Sequence, residues 1–347
     1  MILQAIEYEG FRNLTDGQIN FGEDLNLIIG GNGAGKTNLL EAIFFAAYGS
    51  SFRTNDDKNM VKFNQPYLRV KGISNGAEAS VLYNGTKRFM LNGNEKNRLN
   101  EYIGWLPVVI MSLNDIWIIR GAPAKRRSFL DWLLIKLNPT YGANLFEYRK
   151  VLRQRNCLLQ QKGLNLSLLD VYNDQLINWG NIIYNERRKI IPILKEKIRQ
   201  KGTEMDSSEI SFEYLSSCRD MNLTIEELKK NESLEIKKAE TISGPHRDDI
   251  FITINGYPAK NFASGGECRL IALILKLTEA DIIQQKINDQ PIFLLDEVAI
   301  ELDKTHRKSF FGLIKGQAFY ATVQNLDDLK LPNRTQFTVQ RGNIALS

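Results

Sequence analysis

Leu25 to Thr37 reads LNLIIGGNGAGKT, and the reading of the whole chain turns on it. An apolar run, Leu25, Leu27, Ile28 and Ile29, predicts a short strand. A glycine-rich turn follows, then Lys36-Thr37, then the helix-forming run Leu39, Leu40, Ala42, Ile43, Phe44. Gly30, Gly35, Lys36 and Thr37 satisfy G-x-x-x-x-G-K-T in the strand-loop-helix context that a phosphate-binding loop needs. Glycines let successive backbone N–H groups turn inward around an anion, and a helix N-terminus adds partial positive charge. The stretch Gly30, Gly31, Asn32, Gly33, Ala34 and Gly35 is therefore expected to cradle phosphates. Lys36 is expected to reach the β- and γ-phosphates, and the Thr37 hydroxyl to ligate Mg²⁺. The plainer alternative is a glycine-rich turn ahead of a core helix.

The complement of this loop lies far along the chain. Ile292 to Glu297, IFLLDE, is an all-apolar run, as in a strand buried on both faces, ending in two acids. The carboxyl end of such a strand is where open α/β sheets bind ligands. Asp296 fits a Mg²⁺ carboxylate and Glu297 a group that orients or deprotonates the attacking water. Ala263-Ser264-Gly265-Gly266-Glu267 precedes a strong helical run to Gln284. A serine and two glycines at a helix start offer free N–H groups and a hydroxyl, a second anion site. One loop already takes the triphosphate, so this second site needs another, most simply one on a second copy of the chain. Ser264 with Glu267 is equally a plain capping box.

Composition narrows the class. The 347 residues are 43% hydrophobic and 24% charged, an ordinary globular balance with room for two domains. MILQAIEYEGF at the start has no basic n-region and no long apolar run, and no stretch approaches the ~20 apolar residues of a membrane span. Neither a signal peptide nor a membrane partner is expected. Cys157, Cys218 and Cys268 are far apart and odd in number, which argues against a disulfide framework or zinc site and fits a reducing cytoplasm. With only His246 and His306, a histidine-based metal centre is not expected. The net charge of +5 is uneven: residues 1–120 carry 12 basic and 12 acidic side chains, residues 121–200 carry 15 and 6. A positive middle is the footprint of a nucleic-acid surface, or else a solvated helical face.

Taken in order, strands are expected at 2–8 and 18–21, then at 67–73, 78–83 and 87–91 with Asn84-Gly85 as a two-residue hairpin turn, and at 105–111. After Gly121-Ala122-Pro123 the apolar residues recur at helical spacing, predicting helices up to 201 with separate segments at 167–188 and 190–201. Strands return at 209–214, 249–255, 292–295, 317–323 and as a hairpin at 335–346, with helices at 267–285 and 304–314. The expected fold is α/β: residues 1–121 and 236–347 build one head with mixed sheets, and 122–235 form an inserted helical arm.

GGNGAGKT, ASGGE and IFLLDE in this order, followed by Glu301-Leu302-Asp303, resemble the ABC-type P-loop ATPase heads of the SMC and Rad50 group. Within it the chain is most similar to the short-armed bacterial branch that acts in DNA replication and repair. That likeness covers almost the whole chain. It includes Gly10-Phe11-Arg12-Asn13, Ser51-Phe52-Arg53, Arg126 to Asp131 (RRSFLD), Arg153-Gln154-Arg155-Asn156 and Gly244 to Asp249 (GPHRDD). The resemblance implies ATP and Mg²⁺ as cofactors, Arg12 with Asn13, and Arg53, as nucleotide contacts, and slow ATP hydrolysis that gates DNA binding. It also implies an ATP-dependent homodimer with Ser264, Gly265, Gly266 and Glu267 acting in trans. The implied partners are double-stranded DNA, including its junctions with single strands, and other recombination-mediator proteins, in the cytoplasm. The chain departs from the branch in several places. Its serine loop is SGGE, its acid pair Asp296-Glu297, and Ile300 stands where a serine is expected before Glu301 and Asp303. No glutamine lies near Met111-Ser112, and Thr322 occupies the switch position usually held by histidine. Two other readings remain: an ATP-dependent adaptor that docks repair proteins with little DNA contact, and a transport-type ATPase subunit, which would lack the basic arm.

Overall fold

A computed structural model describes residues 1–205, 207, 209–298, 310–323 and 334–347. In chain order it has β1 (Leu3–Glu9), β2 (Gly17–Asn20), β3 (Leu25–Gly30), α1 (Lys36–Tyr48), β4 (Leu68–Ser74), β5 (Ala77–Tyr83), β6 (Lys87–Leu91), β7 (Asn94–Lys96), α2 (Leu99–Tyr102) and β8 (Val108–Ser112). Next come α3 (Ile116–Arg120), α4 (Pro123–Leu137), α5 (Pro139–Leu159), α6 (Leu166–Glu204), β9 (Ile210–Leu215), α7 (Ile225–Lys238), β10 (Asp249–Ile254), β11 (Tyr257–Pro258), α8 (Ala259–Phe262) and α9 (Gly265–Ile287). The last are β12 (Ile292–Asp296), β13 (Ala318–Thr322), β14 (Arg334–Gln340) and β15 (Asn343–Leu346). These elements fall into two compact units, Met1–Asp115 with Leu273–Ser347, and Ile116–Ala272. Residues 300 to 303, and the expected helix up to 309, lie outside the described residues.

The first unit is built on two six-stranded sheets. One is antiparallel in the order β2-β1-β4-β5-β6-β7; the other runs β15-β14-β3-β13-β12-β8 and is parallel except for the terminal β14–β15 hairpin. Helix α1 packs on β4 and β5 of the first sheet and on β3, β8, β12 and β13 of the second. That explains why it has no polar face: every residue from Leu39 to Tyr48 is buried. Because the strands are parallel, β3, β13 and β12 end at one edge, with Thr322 paired to Ile29 and Asp296 to Ala321. Two expectations change here. Tyr83 pairs with Lys87, so the β5–β6 connection is three residues, Asn84 to Thr86; the two-residue turns of this antiparallel sheet are Asn75-Gly76 and Asn92-Gly93. All four turn residues have positive φ (48° and 79°, 52° and 75°), as a turn matched to strand twist demands. The strand expected over 105–111 starts only at Val108, after Pro107.

The second unit carries the helices. Residues of α6 buried along one face, Leu169, Leu176, Ile183, Ile190, Leu194 and Ile198, keep helical spacing across 39 residues. The break expected between 188 and 190 is therefore absent, and α6 is one helix with Pro192 inside it. Pro192 withholds one N–H from the carbonyl four residues back, yet it sits on the exposed side, where the continuous apolar face outweighs that loss. Helix α5 runs antiparallel to α6, as the hydrogen bonds of Arg155 to Asn173 (2.9 Å) and Arg187 to Tyr141 (3.4 Å) require. The unit also continues past the expected arm boundary at 235 to Ala272, because β9 and β10 pair over residues 210–215 and 249–254 and close a small sheet with β11. Among the described residues no helix is long and apolar enough to cross a membrane.

The Gly244–Asp249 segment ties this unit together. Asp248, fully buried, accepts hydrogen bonds from Tyr184 (3.1 Å), from Arg187 (3.3 Å), from the Ser217 amide (2.7 Å) and from Tyr214. Asp249 takes both arms of the Arg126 fork at 2.7 and 2.9 Å. Such a carboxylate is tolerable inside only because each lone pair has a partner. Arg155, from the RQRN stretch, is held similarly by Asn173, Thr241 and Glu235 at 2.7 to 2.9 Å.

Candidate nucleotide-binding site

Strand β3 delivers the chain to the loop at Gly30 and α1 carries it away from Lys36. The turn needs left-handed backbone at Gly33 (φ 74°) and Gly35 (φ 121°), and a Cβ added at Gly31 or Gly33 would meet nothing within 4 Å. Gly31 and Gly33 are exposed and face open space, so phosphate oxygens can approach the backbone there. Lys36 is buried, and its Nζ donates to the Gly30 and Gly31 carbonyls at 2.9 and 3.1 Å and stands 3.5 Å from Glu297 Oε1. Each of these acceptors is one that a phosphate oxygen can replace.

Thr37 and Asp296 are 259 residues apart in sequence, yet Thr37 Oγ1 donates to Asp296 at 2.9 Å (Oδ1) and 3.1 Å (Oδ2). A hydroxyl and a carboxylate side by side form a hard-oxygen pair suited to Mg²⁺. Burial pushes the Asp296 carboxyl above its ordinary range and Glu297 adds to this, while the Thr37 hydrogen bond, Arg53 and Lys36 oppose it. Glu297 leaves the strand with φ 58°, its amide bound to the Ala321 carbonyl at 3.0 Å. A non-glycine residue in this region costs roughly 1–2 kcal/mol, and here the bend turns the carboxylate toward Lys36 and the loop.

Arg12 and Arg53 are organised by a residue that the sequence alone did not single out. Glu41, fully buried in α1, accepts from Arg12 Nε and Nη2 at 2.9 and 2.7 Å, from Arg53 Nη1 at 3.2 Å, and from the Ser51 hydroxyl. The network continues to the loop: Arg53 donates to Asn38 (2.7 Å), Asn38 to Asn13 (2.7 Å), and Asn13 to the Gly33 carbonyl (3.1 Å). Asn13 thus sits against the loop, while both arginines are spoken for by a carboxylate. The available signal was Glu41 itself, a lone acid inside an otherwise apolar helical run. Thr322 is buried at the end of β13, one strand from the loop strand.

The serine loop belongs to the second unit. Ser264 caps α9 as a capping box, its amide donating to Glu267 at 2.7 Å and its hydroxyl accepting from the Glu267 amide at 3.2 Å. Gly265 and Gly266 have nothing within 4 Å of an added Cβ. The cap and the open approach coexist, since the capping bonds leave the Gly265 and Gly266 faces bare. Asp303 lies outside the described residues.

The RecF/RecN/SMC N terminal domain family matches residues 2–325. The DNA replication and repair proteins RecF of Clostridium tetani and Shouchella clausii are 35% and 34% identical, each over 99% of this chain and 99% of the relative. A solved structure of the recombination mediator protein RecF-ATPrS in the RecFOR pathway has a TM-score of 0.91 at 32% identity, covering 99% of this chain and 97% of its own. An Smc head bound to the C-terminal winged-helix domain of ScpA shares the fold at 17% identity and a TM-score of 0.57.

Proposed function

The chain belongs to the RecF family of DNA replication and repair proteins, in the ABC-type ATPase group of SMC heads, and from that premise we propose an ATP-dependent DNA-binding ATPase of recombinational repair. It takes ATP with Mg²⁺, hydrolyses it slowly, and works as a homodimer closed around two nucleotides. The observation that carries this is the meeting of Thr37 and Asp296 beside Lys36. A phosphate loop alone is a binding feature; a strand-end carboxylate on its threonine makes it a site for a metal-bound triphosphate.

Magnesium, when bound with ATP, supplies charge neutralisation at the β- and γ-phosphates. The residues do the rest. The Gly30–Gly35 amides and the Lys36 ammonium hold the phosphates, releasing the loop carbonyls that Lys36 now occupies. Thr37 and Asp296 hold the metal. Glu297 orients a water and accepts its proton. Ser264 of a second copy, with the Gly265 and Gly266 amides, completes the site across the dimer, so ATP and dimerisation are linked. The departures at residues 296–297, 300 and 322 motivate slow turnover. Duplex DNA, including single-strand junctions, is bound through the lysines and arginines concentrated between residues 121 and 200. Other recombination mediators are the expected protein partners, and the cytoplasm is the expected location.

A fluorescently labelled duplex of about 30 base pairs, titrated with and without ATP at two salt concentrations, tests the proposal. Tighter binding with ATP, weakening steeply with salt, is the expected result. No binding in either state would sink it and favour an adaptor that docks repair proteins with little DNA contact.

A further inference from the structure

Two motifs that the nucleotide site does not use, Arg126–Asp131 and Gly244–Asp249, meet within the second unit around a cleft of about 210 Å³. Its size is below the ~300 Å³ at which drug-sized ligands are accommodated, so it suits one small group. Its charge is unbalanced. Arg187, at the buried end, is matched by Asp131 at 2.8 Å and Asp248 at 3.3 Å. Arg149, 60% exposed, shares Asp131 at 3.1 Å. Arg127 donates Nη1 to the backbone carbonyl of Asp248 at 2.7 Å. Three guanidiniums thus face two carboxylates, and Arg127 and Arg149 each have five N–H donors of which these bonds use one. The exposed Ser128 hydroxyl lies on the same wall.

The cleft's histidine does not supply or remove the charge. His246 Nε2 lies 3.1 Å from the Thr241 carbonyl and so carries the proton, leaving Nδ1 to accept from Tyr148 at 2.6 Å. The ring is neutral, its pKa pushed down to about 4 by burial. Burial and the nearby Arg187 hold the Arg127 pKa below its ordinary value, against the opposing pull of Asp131, Asp249 and Asp248.

We propose that this cleft binds one phosphoryl group, held by the planar forks of Arg127 and Arg149 and by the Ser128 hydroxyl. Guanidinium forks match phosphate oxygens in pairs, which an ammonium does not. The group has two possible sources of identical chemistry, a phosphodiester of a bound nucleic-acid strand and free inorganic phosphate. Only the first rests on the DNA-binding reading above.

The test uses the full chain, its Ser128→Glu and Arg149→Gln variants, and two titrants. Both positions are exposed, and thermal melts verify that each variant is folded. Inorganic phosphate, followed by calorimetry at constant ionic strength, is expected to bind the wild type saturably and each variant about tenfold or more weakly. If the source is nucleic acid, both variants also weaken duplex binding, with the salt slope shallower by about 1 per lost contact. If the source is free phosphate, duplex binding is unchanged. A wild type that takes up no phosphate, with variants that bind duplex as the wild type does, overturns the proposal. A wild type that binds phosphate but no duplex refutes the DNA-binding reading and leaves the cleft intact.

Discussion

Glu41 shows how one side chain can hold a site together. It is the only charge between Leu39 and Tyr48, and its carboxylate gathers Arg12, Arg53 and Ser51 beside the phosphate loop. A buried carboxylate is costly unless every oxygen is used, and here both are. Glu41→Gln keeps the shape and removes the charge, leaving two guanidiniums without their anion. The expected result is a stability loss of about 1.5–3 kcal/mol, the scale of hydrogen bonds to charged groups, with ATP affinity falling about tenfold. Thermal melts and nucleotide titration read these separately. A variant that melts and binds ATP as the wild type does would remove Glu41 from any positioning role.

At the scale of elements, the loop from Gly244 to Asp249 decides how α5, α6, β9 and β10 meet. A Cβ at Gly244 would lie 2.6 Å from Tyr148 Oη, and the φ of 126° is one that side chains rarely adopt, so the loop passes only as glycine. His246 gives this junction a pH signature. Its neutral ring is favoured in the fold, with Arg127, Arg155 and Arg247 nearby reinforcing burial. Above pH 6.5 the ring is neutral folded and unfolded alike. Between 6.5 and about 4 only the unfolded chain takes up the proton, so stability falls as pH falls; below about 4 the loss levels off. The loss amounts to at most about 3 kcal/mol. His246→Gln keeps a donor for the Thr241 carbonyl and is expected to flatten the decline between pH 6.5 and 4. Equal slopes in wild type and variant would mean that His246 is not the group responsible. Helix α6 teaches a related lesson: separate segments were expected at 167–188 and 190–201, but a continuous apolar face made one helix with Pro192 inside it.

At the scale of the molecule, the proposed dimer makes the sharpest claim. Ser264 caps α9 within its own chain and is also the proposed trans contact for ATP. Ser264→Arg fills the open approach with a bulky side chain. It is expected to leave ATP binding to the monomer intact while abolishing ATP-dependent dimerisation, followed by light scattering with and without nucleotide. A variant that still dimerises with ATP would rule out the two-nucleotide sandwich.

The phosphate loop, the apolar strand ending in Asp296-Glu297, the buried core helix and the helical middle were legible in the sequence, because glycine spacing and apolar periodicity are local signals. Local turn chemistry and helix length were read less well: Asn84-Gly85 gave way to a three-residue loop, and the arm's unit extends to Ala272 through a sheet whose strands are more than thirty residues apart. What only the tertiary structure decided were the pairings across long separations. Thr37 reaches Asp296, Glu41 holds Arg12 and Arg53, and Arg126–Asp131 meets Gly244–Asp249. The physical reason is the same in each case. Apolar burial is non-directional and leaves its pattern along the chain, whereas a buried charge must find a partner of specific geometry, and only the packed fold determines which one it meets.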